Sequence, residues 1–560
     1  MIKDIDKSNE NVAINDKEIA VLKEHFPACF KVDGSFDLER FKEELKDKVD
    51  IVHEGYELKF LGKSYAKLLA SIDTTTVITP NTEHNNLPEN VNSENIYISG
   101  DNLDGLKHLL KSYSKSVKCI YIDPPYNTGS DGFVYKDNFN FTAEELQDKL
   151  SIDETQAKRI IDLTKRNSAS HSAWLMFMFS RLQLAKDLLT KDGVIFISID
   201  DNEQSNLRLL CDDVFGEENF VAQLVWEKKK KGSYLADDIT NVKEYILVYS
   251  REKGKFNGLI GEINKSTETY PCVNSSNPRD IRVIAPGIKS NYKEKDYFLA
   301  KGSIISDTTM DLVLHSDLVI ENSVLVQELI IEGNWRYSQT SMSEYVEKSE
   351  IYITRDLYLR RIVNEPRHKG LKDLLLRQGE DENSNLTIDV NNLGINGWGS
   401  NEDADEEQRL LFGSQSLMSY PKPVRLIVKL LASIRDNNII VADFFSGSAT
   451  TAEATIKLNT LDGGTRKYIM IQLPENLNEA YLNTSPDNKI KIKKLIDFLK
   501  SVNRKPTLDQ IGIERIIRAS KKIKEETKTE IDYGFKHFFL NEPNQNTLDK
   551  CDTFDKAGLL

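Results

Sequence analysis

Twice, far apart in this chain, short apolar runs alternate with helical spacing, and each time the run ends in a turn of unusual residues. Strand-like Asn95–Ser99 and Val117–Ile122 flank a helical spacing from Asp104 to Tyr113. Much later, the apolar run Ile439–Asp443 leads through Phe444-Phe445-Ser446-Gly447-Ser448-Ala449 into a helix that opens with Thr450 and Thr451. Continuous apolar strands alternating with crossover helices are what a parallel sheet buried on both faces requires. The expected class is α/β: a Rossmann-like, doubly wound sheet split into two halves by a long insertion.

The first half carries Asp123-Pro124-Pro125-Tyr126 directly after the apolar run Cys119–Ile122. A carboxylate at a strand's carboxyl end accepts one N–H, and a carbonyl aimed by two rigid prolines accepts another. Both bonds favour a pyramidal nitrogen, which is what an exocyclic amine on a nucleobase needs, because its lone pair is otherwise delocalised into the ring. Tyr126 offers a flat face on which an extruded base stacks, as chemistry on a duplex base demands. Alternatively, Pro-Pro-Tyr merely ends a strand and turns the chain.

In the second half, the small-residue turn around Phe445, Gly447 and Ser448, after Asp443, admits close backbone approach by a nucleoside cofactor at a strand's carboxyl end. No GxxxxGK[ST] pattern is present and no lysine follows the turn, so S-adenosylmethionine fits the site better than ATP. Bland packing of a Gly-Ser turn is the competing explanation.

The two motifs, in this order, resemble the DNA adenine-N6 methyltransferases whose catalytic segment precedes the cofactor loop, and most closely the modification subunits of type III restriction-modification systems. Further stretches carry the same resemblance: Leu22–Phe30, Tyr56–Leu58 with Gly62–Ala66, and Asp532–Lys536. The resemblance implies a methyltransferase core with a helical amino-terminal region and a mixed carboxyl-terminal region devoted to assembly. It also implies that Asp101, in Gly100-Asp101-Asn102, binds the cofactor's adenine with Asn102 beside it, although a helix cap explains Asp101 as well. Lys422 and Pro423 would border the cofactor's methionine end. The ribose-binding acid of the wider superfamily falls on Gln472, with Glu475 three residues on, and the choice between them stays open. Alanine stands at 449 where many relatives have a second glycine, so a backbone angle demanding glycine would be strained there.

The expected organisation is a helical region over 1–90, a catalytic half over 91–250, a target recognition domain over 251–412, a cofactor half over 413–478 and an assembly region over 479–560. Thr74–Asn92 reads as a linker and Asn127–Asn140 as a mobile loop, either closing over the extruded base or an ordinary exposed loop. Asp192-Gly193 reads as a turn before the strand Val194–Ile199. At 560 residues and 39% hydrophobic content, the chain suits a soluble multidomain protein. No apolar run is long enough to span a bilayer, and the charged start is unlike a signal peptide, so a cytoplasmic address with no membrane partner is expected. Five scattered cysteines and eight ungrouped histidines suggest neither disulfides nor a metal.

A net charge of −14 has the wrong sign for gripping a polyanion, so local basic runs matter more, with Lys228–Lys231 the best candidate for phosphate contact. Double-stranded DNA, a second copy of the chain and a restriction subunit with motor and nuclease are the partners that the resemblance implies. Within the insertion Arg279, Arg282, Arg336, Arg355 and Asn396 are of the type that reads base edges. An N4-cytosine methyltransferase needs the same amine geometry, and a DNA-specificity subunit with an inactive core is the rival motivated by Ala449.

Overall fold

The predicted alternation is realised in a ten-stranded sheet. The structure, a computed structural model, describes residues 15–31, 33–45, 58–128, 142–150, 152–165, 170–230, 239–264, 266–306, 310–378, 387–413, 416–418 and 420–543, with a few isolated positions before 15. The strands are β1 (Val77–Pro80), β2 (Ile96–Ser99), β3 (Val117–Ile122), β4 (Leu189–Ile199), β5 (Phe220–Glu227), β6 (Lys243–Ser250), β7 (Leu374–Leu375), β8 (Ile440–Asp443), β9 (Lys467–Gln472) and β10 (Lys536–Asn541). Their order is β1-β10-β2-β9-β8-β3-β4-β6-β5-β7. From β10 to β4 every neighbouring pair is parallel, while β1 and β6 run antiparallel to their neighbours.

Alternation along each strand decides which layer a side chain joins. Ile120 and Ile122 of β3 pack with Ile96, Ile98, Ile195 and Ile197 under the helices Lys63–Ser71, Asn102–Tyr113 and His171–Leu188. Cys119 and Tyr121 face the other way, onto the helix Val424–Ser433. On that second face Tyr97, Tyr468 and Met470 meet the helices Thr450–Asp462 and Asp509–Thr527. Trp174, Leu182 and Leu184 of the His171–Leu188 helix are essentially inaccessible. Burying each such side chain contributes about 1.5–3 kcal/mol, so this helix is a major anchor of the sheet rather than a ligand-binding element.

Three expectations change. Thr74–Asn92 is not a linker: β1 and the short helix Thr82–Asn85 lie within it. Val77 pairs with Asn541 and Pro80 with Phe538, a partner more than 450 residues away that local composition does not reveal. Asp192-Gly193 does not interrupt the chain, because β4 already begins at Leu189 and the extra residues are absorbed as a register shift against β3 between Val117 and Cys119. The carboxyl-terminal stretch adds β10 to the interior of the sheet, between β1 and β2. His537 on that strand is buried, hydrogen bonded to Ser99 Oγ and Asn81, and burial pushes its imidazole down to about 3, so it stays neutral.

The chain separates into two compact units, Met1–Gly261 with Gly370–Leu560, and Glu262–Lys369. Residues 251–261 and 370–412 therefore belong to the unit that contains the ten-stranded sheet. The second unit holds a seven-stranded sheet, a four-stranded sheet and the helix Gln339–Glu347 around a core that includes Leu312, Ile331, Trp335 and Met342. Within it Arg279 pairs with Glu332, and Arg282 with Asp280. Among the described residues no helix is long and apolar enough to cross a membrane.

Candidate active site

Parallel strands put their carboxyl ends on one edge, and the sheet order makes β2, β9, β8 and β3 consecutive. Asp101 follows β2, Gln472 closes β9, Asp443 closes β8 and Asp123 follows β3. Residues from both halves of the sequence thus meet along one edge, the usual place for a ligand in such sheets.

At the β3 end, Lys422 organises the corner. Its Nζ lies 2.9 Å from each oxygen of Asp123 and 2.9 Å from the Tyr126 hydroxyl. It is also 3.2 Å from Oε2 of Glu244, which β6 contributes. Tyr126 donates to Asp123 Oδ1 at 2.8 Å, and its hydroxyl stands 3.1 Å from Glu244 Oε2. Lys228 Nζ reaches Glu244 Oε1 at 3.1 Å. Lys422 and Glu244 are 6% and 5% exposed, and each stays charged because opposite charges surround it. Burial alone would lower the Lys422 ammonium, but Asp123 and Glu244 outweigh it and raise the group above its ordinary range. Burial would raise Glu244, but Lys422 and Lys228 hold its carboxyl below the ordinary range. Burial first, and the two carboxylates second, push the Tyr126 phenol far up, so it remains protonated.

The corner's backbone is pinned from the helix behind it. Trp174 Nε1 donates to the Pro125 carbonyl at 2.7 Å, and Pro124 is buried. Asn127, in a left-handed conformation, donates to the fully buried Glu203 at 2.6 Å. Of the acids after β4, Glu203 therefore serves the corner's exit, and His171 Nδ1 also lies 2.7 Å from it. Residues 129–140 of the expected loop lie outside the described residues.

At the β8 end, Asp443 shapes the turn from inside. Its carboxylate accepts the Phe445 N–H at 2.9 Å and the Thr451 hydroxyl at 2.6 Å. Burial nevertheless pushes it up to about 7, because the two bonds only partly offset desolvation. Gly447 and Ala449 both have positive φ, 52° and 61°. A Cβ at Gly447 would meet nothing closer than the Phe445 carbonyl at 3.9 Å, so the turn is open on that side. Ala449 takes the left-handed angle without being glycine, a strain of about 1 kcal/mol. Gln472 Oε1 accepts the Gly447 N–H at 2.6 Å, whereas Glu475 is exposed and accepts the Leu508 N–H through its carbonyl.

Two further braces hold this turn. Asn102 donates to the Phe444 carbonyl at 3.0 Å, and the buried Arg181 donates to Asn102 Oδ1 at 2.6 Å. Arg181 also lies 3.6 Å from Asp101 and stacks 3.6 Å over Phe177, whose ring meets Phe445. Asp101 caps the helix Asn102–Tyr113 through the N–H groups of Leu103 and Asp104. From the other side, Arg515 of the Asp509–Thr527 helix donates to Ser448 and Thr450 at 2.9 and 2.8 Å and pairs with Glu453 at 2.6 Å. That helix approaches so closely at Gly512 that a Cβ there would stand 2.7 Å from the Tyr97 hydroxyl and 3.3 Å from the Gly447 carbonyl.

The structure therefore brings Asp101, Asn102, Asp123, Pro124, Pro125, Tyr126, Lys422, Asp443, Phe445, Gly447, Ser448 and Gln472 to one edge of one sheet, and Pro423 to the start of the helix beside it. Glu475 stands just beyond. Sequence reasoning missed Glu244, Trp174, Arg181 and Arg515. Glu244 and Arg181 had a signal, each a charge beside or inside a strongly apolar run; Arg515 had none. Lys228 is tied to Glu244 rather than free for phosphate, and Lys231 lies outside the described residues. Among the described residues no group of His, Cys, Asp or Glu forms a metal site.

Comparison with known proteins places the site in a family. Residues 117–483 match a family described as DNA methylase. The chain is 35% identical to the type III restriction-modification enzyme StyLTI Mod subunit of Salmonella typhimurium, over 100% of this chain and 79% of that protein. It is 36% identical to the EcoPI Mod subunit of Escherichia phage P1, over 83% of this chain and 71% of the other. It is 34% identical to the EcoP15I Mod subunit of Escherichia coli, over 97% of this chain and 81% of the other. With matches of this extent spanning both halves of the split site, the chain belongs to the DNA methylase family and, within it, to the Mod subunits of type III restriction-modification enzymes.

Proposed function

We propose that this chain methylates the N6 amine of adenine in double-stranded DNA, using S-adenosylmethionine, as the modification subunit of a type III system. The observation that carries the reading is the corner itself: a nitrogen, Lys422 Nζ, already stands within hydrogen-bond distance of both Asp123 oxygens, which marks the carboxylate as a receptor for N–H groups. An adenine amine bonded there, with its second N–H on the Pro124 carbonyl, has its lone pair directed out of the ring plane. Tyr126 supports the extruded base, and its hydroxyl is fixed by Asp123 and Glu244.

S-adenosylmethionine, when bound, supplies a methyl group on a cationic sulfonium. The edge suits such a donor: Asp101 and Asp123 stand along it, the turn at Gly447 is open, and Gln472 already orders that turn. Asp101, Asn102, Phe445, Gly447, Ser448 and Gln472 would hold the donor, with Lys422 and Pro423 bordering its methionine end. Proximity and alignment of amine and methyl would provide much of the acceleration. The unit Glu262–Lys369 would read the target sequence. A homodimer in the cytoplasm, joined by a restriction subunit, completes the assignment.

Expressing the chain in a host without adenine methylation and mapping modified bases by single-molecule sequencing tests it. Modified adenines within one short sequence support the reading. N4-methylcytosine in digested DNA, or unmodified DNA with intact specific binding, would replace it.

A further inference from the structure

Lys422 has three protons and four oxygens within reach: both of Asp123, the Tyr126 hydroxyl and Glu244 Oε2. The arrangement is a competition, because an amine destined for methylation needs at least one oxygen of Asp123. Oδ1 is already engaged by Lys422 and by Tyr126 at 2.8 Å, and Oδ2 by Lys422. Oδ2 keeps one lone-pair site, but an ammonium drawing on both oxygens weakens them as acceptors for a neutral amine, so withdrawal of Lys422 strengthens the bond that the substrate makes. If Asp123 were the one counter-ion in reach, withdrawal would leave a buried cation unpaired, which is strongly disfavoured. Glu244 removes that obstacle. Its carboxylate is buried on β6, fixed from behind by Lys228 at 3.1 Å, and already 3.2 Å from Lys422.

Resting on the reading of Asp123 as the amine receptor, we propose that Glu244 is a positioning residue that takes over Lys422 and Tyr126 when the target amine engages Asp123. Lys422 is then a latch with two positions. With the base absent it covers the catalytic carboxylate; with the base present it falls back on Glu244, and the cluster of Asp123, Glu244, Lys422 and Lys228 keeps the same net charge in both. Tyr126, whose one hydroxyl proton has Asp123 at 2.8 Å and Glu244 at 3.1 Å as alternative acceptors, turns that proton to Glu244 and keeps its ring in place through the exchange. Nothing covalent happens in this step: hydrogen bonds are traded between oxygens, and no proton leaves Lys422.

The test uses the full chain and a duplex carrying the sequence it modifies. Single-turnover methyl transfer is compared among wild type, Glu244→Gln and Glu244→Asp, with donor affinity by calorimetry and binding of a duplex whose target base is purine, which lacks the amine. Glu244→Gln preserves shape but removes the charge. It is expected to slow transfer on the order of 100-fold, the cost of a misplaced reacting group, while donor affinity and binding of the purine duplex stay at wild-type values. Glu244→Asp, which restores the charge, is expected to recover part of the rate. Wild-type rates in the Gln variant would overturn the latch, as would an Asp variant no faster than the Gln one. If the Gln variant does not fold, the Asp variant decides: slowed transfer with intact donor affinity supports the latch, and equal loss of both overturns it. A wild-type protein that transfers no methyl group would instead overturn the reading of the corner itself, and the latch with it.

Discussion

Asp443→Asn is the most discriminating single change at the turn after β8, because it separates burial from hydrogen bonding. The wild-type carboxyl sits at about 7 in the folded protein against an ordinary 3.8. A group whose folded value is raised in this way gives up its proton more readily in the unfolded chain. Below about pH 4 both states are protonated and the group is neutral in its effect. As pH rises from about 4 to about 7, the unfolded state ionises first, so stability falls, and above about 7 the loss is constant. The full span of about three units corresponds to about 4 kcal/mol. Between pH 5.5 and 8.5 the same linkage predicts a fall of about 2 kcal/mol.

Asparagine has no such titration yet keeps the local bonds. Its carbonyl still accepts the Phe445 N–H, and its amide donates to a Thr451 hydroxyl that now accepts. Urea denaturation of the ligand-free proteins at several pH values, taken as the difference between wild type and variant, cancels the titration of other groups. The variant is expected to gain on the wild type by about 2 kcal/mol from pH 5.5 to 8.5. A difference that does not change with pH would refute the reasoning, showing that the Phe445 and Thr451 bonds fully compensate burial.

Asp123→Ala is expected to reduce methyl transfer about a thousandfold or more while donor affinity changes little, the pattern of an interaction used only during reaction; tritiated-donor assays and calorimetry check it, and parallel loss of both makes Asp123 structural. Arg515→Met strands Glu453 and two hydroxyls beneath the turn, so destabilisation of about 3–5 kcal/mol, visible in urea denaturation, should accompany weakened donor binding. Removing Lys536–Asn541 leaves β1 without its partner and opens an edge of β2, and the truncated protein should aggregate on size-exclusion chromatography where the full chain does not.

Much of the split core was legible beforehand, and for a physical reason: buried parallel strands are largely apolar, so Ile96–Ser99, Val117–Ile122 and Ile440–Asp443 announce themselves. The turn residues were legible too, since Pro-Pro at 124 and 125 and Gly at 447 each impose a backbone geometry. Ala449 shows the same logic from the other direction: an angle demanding glycine would be strained there, and φ is 61°. What stayed hidden were strands defined by their partner rather than by their own pattern. β1 ends in Pro80 and lies among Thr and Asn residues, yet it is ordered by β10. Arg515 stayed hidden for a related reason, because a charged residue on a helix looks the same whether it faces water or a buried partner.

The sequence alone determined the local geometry of the buried parallel strands β2, β3 and β8 and of the Pro-Pro and Gly turns that follow β3 and β8. The tertiary structure decided who meets whom. Asp123 and Lys422 are 299 residues apart in the chain and 2.9 Å apart in space, and Glu244 reaches them because β6 lies against β4, next to β3. Periodicity encodes the face that a residue presents, whereas the order of strands in a sheet is set by the packing of all of them together. The corner at Asp123 was therefore readable as a motif, but the buried cation that occupies it, and the second carboxylate 3.2 Å from that cation, came into view only with the sheet assembled.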